Sequence, residues 1–252
     1  MKVKAVLFDL FDTLLLIKKG EEFYEPSLRK LHENLVKNGI ETDFENFKRV
    51  YFEVRDELYA KSAETLEEPH FNTRISQTLN RLGYNYSASS KVAAEATDAF
   101  AKEFACYVCL DDDTLDVLQK LHGKYRLGMV SNFAIPDCVR NLLDKFDLKK
   151  FFAIIVISGD INRRKPSPEI FQRALRKLKV CPSEAVFVGD TPSMDIKGAK
   201  AVAMKSILIR RKTTLTDAPN TVVWKPPEND VKHNPDRVIK RLRELPDILE
   251  DC

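Results

Sequence analysis

Four short segments of this chain hold the residue types that chemistry needs: Asp9-Leu10-Phe11-Asp12-Thr13, Ser131-Asn132, Arg163-Arg164-Lys165-Pro166 and Gly189-Asp190-Thr191-Pro192-Ser193-Met194-Asp195. Together they offer carboxylates, a hydroxyl and a lysine. Brought to one place, Asp9, Asp190 and Asp195 would repel one another, so they call for a cation, and all-oxygen ligands suit Mg²⁺. Taken singly, each has an ordinary explanation. An Asp after an apolar run caps a helix or forms a turn, Ser131-Asn132 reads as a turn, and Lys165 reads as a solvated surface lysine. The common setting of the four segments is what sets them apart.

Each segment follows a short apolar run. The runs are Val3–Phe8, Arg126–Val130, Ala153–Ile157 and Ala185–Val188, and a fifth of the same kind, Ser206–Ile209, comes after the last segment. Such runs read as buried strands of a parallel sheet. Between them lie helical patterns, for example Ile170, Phe171, Ala174, Leu175 and Leu178, with Ser167 as N-cap and Pro168 as the first helical residue. Strands alternating with helices predict an α/β fold with a doubly wound, Rossmann-like parallel-sheet core. Ligands of open parallel sheets bind beyond the carboxyl ends of the strands, so the four segments are expected on one rim.

Residues 17–109 are patterned differently. Leu28, Leu31 and Leu35 share a helical face ended by Gly39, and Thr42-Asp43-Phe44-Glu45 resembles a capping box before Phe47, Tyr51, Val54 and Leu58. Phe71, Ile75, Leu79 and Leu82, closed by Gly83, form a third face, and Val92, Ala96, Phe100 and Phe104 a fourth. With no strand signal in this stretch, an all-α domain is expected over 17–109, inserted into a core made of 1–16 and 110–252. After Arg211 the pattern weakens into a loop with Pro219, Pro226, Pro227 and Pro235, and a last helix is expected over about 235–245.

Composition narrows the partners. Hydrophobic residues make up 44% of the 252 and charged residues 31%, with 41 Lys and Arg against 38 Asp and Glu. A balance this close to neutral argues against a nucleic-acid partner, and the basic triplets Arg163-Arg164-Lys165 and Arg210-Arg211-Lys212 suit attraction of a small anionic substrate or a solvated face. The longest wholly apolar run, Phe151–Ile157, falls far short of a membrane span. Asp9 within the first apolar segment does not suit a signal peptide, so a cytoplasmic location is expected. Five cysteines make no disulfide framework. Cys106 and Cys109 are spaced C-x-x-C without a second pair nearby, and read as structural thiols.

The four segments, in this order, resemble the haloacid dehalogenase-like hydrolase superfamily. Phe8–Leu14 (F-D-L-F-D-T-L) looks like its first motif, Ser131 and Lys165 match the second and third, and Gly189–Asp195 (G-D-x-x-x-x-D) the fourth. One large branch of that superfamily carries a helical cap domain just after the first motif. The resemblance implies Asp9 as nucleophile, Ser131 and the backbone of Asn132 binding the transferring group, Thr13 supporting the nucleophile loop, and Lys165 neutralising charge. It further implies Mg²⁺ held by Asp9, the main-chain carbonyl of Phe11 and Asp190, with Asp195 at one remove.

One residue departs from the phosphatase pattern. Phosphatases of this kind carry a second Asp two residues after the nucleophile, as general acid, and here that residue is Phe11. Asp12 is an acid one position later, where a tight turn points its side chain elsewhere. Haloacid dehalogenases also place an aromatic at this position, because a halide leaves without a proton, yet they lack the acid corresponding to Asp190. The expected activity is a Mg²⁺-dependent phosphatase acting on a small phosphorylated metabolite. A metal-independent 2-haloacid dehalogenase and a degenerate, non-catalytic member are the alternatives. A dehalogenase would want an arginine from the inserted helices, but Arg49, Arg55 and Arg74 are expected in solvated or salt-bridged roles. Tyr24, Arg55, Tyr59 and His70 are candidate specificity contacts, and the oligomeric state is open.

Overall fold

A computed structural model describes residues 2–18, 23–210 and 234–250. Strand β1 (Ala5–Phe8) is buried along its whole length and is followed, after the Asp9–Leu14 turn, by β2 (Leu15–Ile17). Four helices come next: α1 (Tyr24–Lys37), α2 (Phe44–Thr65), α3 (Phe71–Arg81) and α4 (Lys91–Phe104). Asp43 caps α2 by accepting the Asn46 amide, and Ser90 caps α4 by accepting that of Ala93. Gly39 and Gly83 end the first and third helical segments at φ 84° and 92°, the left-handed region where a side chain is penalised. Leu28, Leu31 and Leu35 of α1 are fully buried, and the helix packs on α4 while α2 packs on α3.

The chain returns through β3 (Val108–Leu110), which pairs antiparallel with β2, Leu15 opposite Leu110 and Ile17 opposite Val108. This ribbon was not expected from the sequence. Three-residue strands carry too little alternation to be read as such, and pairing with each other is what defines them. It places the exit and return of the helical segment side by side.

From there α5 (Thr114–Leu121), β4 (Arg126–Ser131), α6 (Pro136–Lys145), β5 (Ile154–Ile157), α7 (Ser158–Ile161), α8 (Pro168–Leu178), β6 (Ala185–Gly189), α9 (Lys197–Ala201) and β7 (Lys205–Ile209) follow. Beyond the undescribed residues come β8 (Arg237–Ile239) and α10 (Leu245–Glu250). The expected helix over 235–245 is therefore corrected. Its first half is a parallel edge strand paired with β7, and the helix begins only at Leu245. Pro219, Pro226 and Pro227 of the expected loop, and Arg211 and Lys212 of the second basic triplet, lie outside the described residues.

Six parallel strands form one sheet in the order β5-β4-β1-β6-β7-β8. Successive residues of β1 face opposite sides. Ala5 and Leu7 join Ile170, Phe171, Ala174 and Phe187 under α8 and α9, while Val6 and Phe8 join Val117, Leu118, Val139 and Leu142 under α5 and α6. Helices on both faces make the fold doubly wound, with β1 at the point where the strand order reverses. A parallel sheet opens a crevice for ligands at that point.

Candidate active site

Register brings the segments together. Phe8 of β1 lies opposite both Met129 of β4 and Val188 of β6. Asp9 therefore follows the central strand at the level of Gly189, and its amide continues the ladder by donating to Val188 O at 2.9 Å. Ser131 closes β4 two residues past Met129, and Asp190 follows β6 directly.

Asp195 arrives by a different device. Pro192–Ile196 forms a single π-helical turn leading into α9, with the Asp195 amide donating to Thr191 O at 2.8 Å and the Thr191 amide donating back to Asp195 Oδ2 at 2.9 Å. A π turn re-aims the side chains it carries relative to an α turn. Here it buries Asp195 against the end of β6. A Cβ at Gly189 would lie 2.4 Å from Asp195 Oδ2, so only glycine admits this approach.

One oxygen from each of Asp9, Asp190 and Asp195 lies within 4.8 Å of the other two. Lys165, 2% exposed, binds two of the three, with Nζ at 2.5 Å from Asp9 Oδ1 and 2.7 Å from Asp195 Oδ1. The expectation of a solvated lysine, taken for Lys165 alone, does not hold. Its ammonium also lies 5.3 Å from the Phe187 ring centroid, and the paired carboxylates and ring together offset a desolvation penalty of several kcal/mol. Asn132 fixes the backbone of this lysine. Its Nδ2 donates to Lys165 O at 3.0 Å and its Oδ1 accepts the Lys165 amide at 2.7 Å. The Asn132 side chain is thereby committed, leaving its backbone for any contact with substrate.

Electrostatically the trio is frustrated. Burial pushes Asp9 up to about 8, opposed by Lys165 and reinforced by Asp195 and Asp190, and burial likewise raises Asp195. One lysine does not offset the burial of both Asp9 and Asp195. An all-oxygen set of this kind fits a hard divalent cation, which would restore the charged form. Ser131 adds a second indication of a ligand: it is fully buried, and its Oγ has no hydrogen-bond partner among the described residues. Buried hydroxyls without a partner are few in native proteins, and at the end of a strand pointing to a crevice such a group suits an anionic oxygen. Thr13 is buried in the turn that follows Asp9.

Phe11 is buried too, its ring 4.9 Å from that of Phe133 and 5.7 Å from that of Phe104, the last residue of α4. An aromatic wall thus joins the turn after β1, the loop after β4 and the helical segment. Asp12 takes φ 57° and donates its amide to Leu15 O.

A family model for haloacid dehalogenase-like hydrolases matches residues 3–203, spanning all four motifs, and a HAD-hydrolase-like model matches 162–245. The chain is 32% identical to the glyceraldehyde 3-phosphate phosphatase of Methanopyrus kandleri, across 99% of this chain and 98% of that one. It is 30% identical to the protein of the same name from Pyrococcus abyssi, across 81% and 80%. The chain is a haloacid dehalogenase-like hydrolase. Among solved structures, a 2-haloacid dehalogenase from Pseudomonas syringae pv. Tomato superposes with a TM-score of 0.70 at 24% identity, covering 99% of both chains, which speaks to fold alone. A HAD phosphatase from Thermococcus onnurineus superposes with a TM-score of 0.62 at 26% identity, covering 98% of both.

Other expectations for this hydrolase meet mixed outcomes. Arg49 pairs with Glu53 at 2.8 Å and Arg55 with Asp56 at 2.7 Å, as expected of salt-bridged helix arginines. Arg74 does not follow them. It is buried among the rings of Tyr51, Tyr59 and Phe71 and donates to Tyr51 Oη at 3.1 Å. The triplet Arg163-Arg164-Lys165 is no open basic patch, since Arg163 pairs with Glu67 and Glu169, and Arg164 with Glu68. The cysteines Cys106 and Cys109 are free thiols. Sequence reasoning missed the side-chain clamp of Asn132 and the partner of Arg164. Both join residues far apart in the chain, and no local pattern announces either.

Proposed function

We propose that this hydrolase is a magnesium-dependent phosphatase of small phosphorylated metabolites, working through an aspartyl-phosphate. The observation that carries this reading is the convergence of Asp9, Asp190 and Asp195 with Lys165 bound to two of them. Displacing a halide from a haloacid calls for no such acid trio. The relatives named glyceraldehyde 3-phosphate phosphatase, one of them matched along 98% of its length, support the same reading and suggest a triose phosphate or similar substrate.

Mg²⁺ would be held by Asp9, the carbonyl of Phe11 and Asp190, with Asp195 at one remove, and would supply positive charge to offset that of the phosphoryl group. The Asp9 carboxylate attacks phosphorus, forming the acyl phosphate as the bond to the leaving oxygen breaks and that oxygen keeps the electron pair. Lys165 neutralises charge at the same point. The Ser131 hydroxyl and the Asn132 backbone hold phosphoryl oxygens, and Thr13 supports the turn that carries Asp9. Water then attacks phosphorus and the Asp9 O–P bond breaks, releasing inorganic phosphate and regenerating the Asp9 carboxylate, while the water's proton passes to solvent, from which the departed oxygen takes one up. Phe11 has no proton to give, so the leaving oxygen departs unassisted from that position.

Residues 17–109 would act as a cap domain over a catalytic core of 1–16 and 110–252, with the substrate between them and Tyr24, Arg55, Tyr59 and His70 as candidate contacts. The fitting partner is a small anionic substrate rather than a nucleic acid. A cytoplasmic location is part of this proposal. The four cysteines among the described residues are free, and no described helix is long and apolar enough to cross a membrane.

The test is hydrolysis of a panel of phosphorylated metabolites with and without Mg²⁺, beside 2-chloropropionate in EDTA. Mg²⁺-dependent phosphate release that is abolished in Asp9→Asn supports the phosphatase. Chloride release in EDTA would replace it with the dehalogenase reading that Phe11 favours. Absence of any hydrolysis, even of activated phosphates, would point to a non-catalytic member.

A further inference from the structure

The connection between α2 and α3 touches the loop that carries Lys165, and it does so through buried charge. Leu66 ends α2 in the left-handed conformation at φ 56°, and its carbonyl accepts the Arg164 amide at 3.0 Å. Two residues on, Glu68, 6% exposed, places Oε2 3.5 Å from Nε of Arg164, itself 2% exposed. Ser158 Oγ donates to the same carboxylate oxygen at 3.4 Å while accepting the Phe133 amide at 2.8 Å. None of these residues belongs to the acid trio or to the groups assigned to phosphoryl binding.

Stability is a poor explanation for such a pair. Taking two ions out of water is costly, and a well-packed apolar pair of similar volume is often as stable or more so. Placement explains it better. Arg164 immediately precedes Lys165, whose backbone is clamped from the other side by both ends of the Asn132 amide. Residues 164–165 are thus held between the helical segment and the end of β4, and the lysine reaches Asp9 and Asp195 from that seat.

We propose that Glu68 is a positioning residue that acts through Arg164 to hold the Lys165 ammonium on the acid trio, so that the lysine is in register only when the α2–α3 connection is seated on the sheet. The kinetic part of this inference rests on the phosphatase reading; its structural part does not. Losing the seat would let Lys165 move by a fraction of its length, and misplacement of about 1 Å can cost on the order of 10²-fold in rate.

Glu68→Gln keeps the shape and removes the charge. Hydrogen exchange at the Arg164 and Lys165 amides should accelerate about tenfold or more, as expected when a buried ion pair loses one partner, while amides of β1 and β6 keep their protection. With p-nitrophenyl phosphate and Mg²⁺, kcat should fall roughly 10–100-fold. In a Lys165→Arg background, the same substitution should add little. Unchanged exchange at residues 164 and 165, or a full additive loss of kcat in the Lys165→Arg background, would overturn the proposal. If Glu68→Gln fails to fold, Glu68→Asp, which keeps the charge and withdraws it by one methylene, gives the same exchange readout. If the wild-type protein hydrolyses no phosphate, the phosphatase reading fails by itself, and the exchange experiment still decides the role of Glu68.

Discussion

Phe11 stands where a general acid would protonate a leaving alcohol, and its ring is built into a wall with Phe104 and Phe133. Activity of the native protein should therefore favour leaving groups of low pKa, aryl and acyl phosphates over alkyl phosphates, measured as the ratio of kcat/KM. Phe11→Asp should raise turnover of alkyl phosphates by roughly 10²-fold, at the low end of general-acid contributions. The same variant loses the ring contacts and places a carboxyl among aromatics, so its Tm should fall. The loss in stability should reach about 3 kcal/mol, the lower range for truncating a buried Phe. An unchanged alkyl-phosphate rate in a folded Phe11→Asp variant would refute this account of the acid. Asp190, half-buried where β6 ends, accepts a hydrogen bond from Thr191 Oγ1 at 3.2 Å. Asp190→Asn should raise the half-saturating Mg²⁺ concentration at least roughly 10–100-fold while leaving the fold intact, with titration calorimetry as the check.

At the scale of elements, the site depends on how closely a turn approaches a strand. The π turn Pro192–Ile196 presses Asp195 onto Gly189, and the methyl of Gly189→Ala would meet a carboxylate held at both ends by Thr191 N–H and Lys165. That group cannot simply swing away. Gly189→Ala should lower stability by about 1–3 kcal/mol, as overpacking does, and weaken Mg²⁺ binding because Asp195 must shift. Thermal melts and metal titration on the same variant separate the two effects. The short ribbon of β2 and β3 is the other decisive element. It makes the four helices leave and return at one place, beside the turn that carries Phe11, and so brings Phe104 against Phe11 and Phe133.

For the whole molecule, the buried acids should be visible in the pH dependence of folding once metal is stripped with EDTA. The folded-state pKa of Asp9 is raised from 3.8 to about 8 by burial and by Asp195 and Asp190. The native state then holds a proton that the unfolded state releases, so the contribution of Asp9 to stability is greatest below about pH 4 and falls as pH rises through that window toward 8. Chemical denaturation should show this decline in the stripped wild-type protein and a shallower one in Asp9→Asn. Saturating Mg²⁺ should flatten it, because a bound cation keeps Asp9 ionised in the native state. Equal slopes for the two proteins without metal would show that Asp9 is not the group responsible.

Much of this molecule is legible in its residues, and the reason is local. Buried parallel strands need continuous apolar runs, so Val6–Phe8 and Val186–Val188 announce themselves, and each ends abruptly at the polar residues that matter. Helices α1, α3 and α4 show their apolar faces at helical spacing, with Gly39 and Gly83 ending the first and third segments. Asp9, Ser131, Lys165, Asp190 and Asp195 can be chosen because a doubly wound sheet delivers the ends of its strands to one rim. What the residues alone left open depended on partners distant in the chain. Strand β8 is a strand only because β7 offers it a ladder, and three-residue β2 and β3 exist only as a pair. Lys165 looks like a surface lysine until Asp9 and Asp195 surround it, and Arg164 and Arg74 look solvated until tertiary packing buries one beside Glu68 and the other among tyrosines. Sequence determined which groups are available for chemistry. Tertiary structure decided their charge state and their company, because burial and proximity, which set both, are properties of the folded chain.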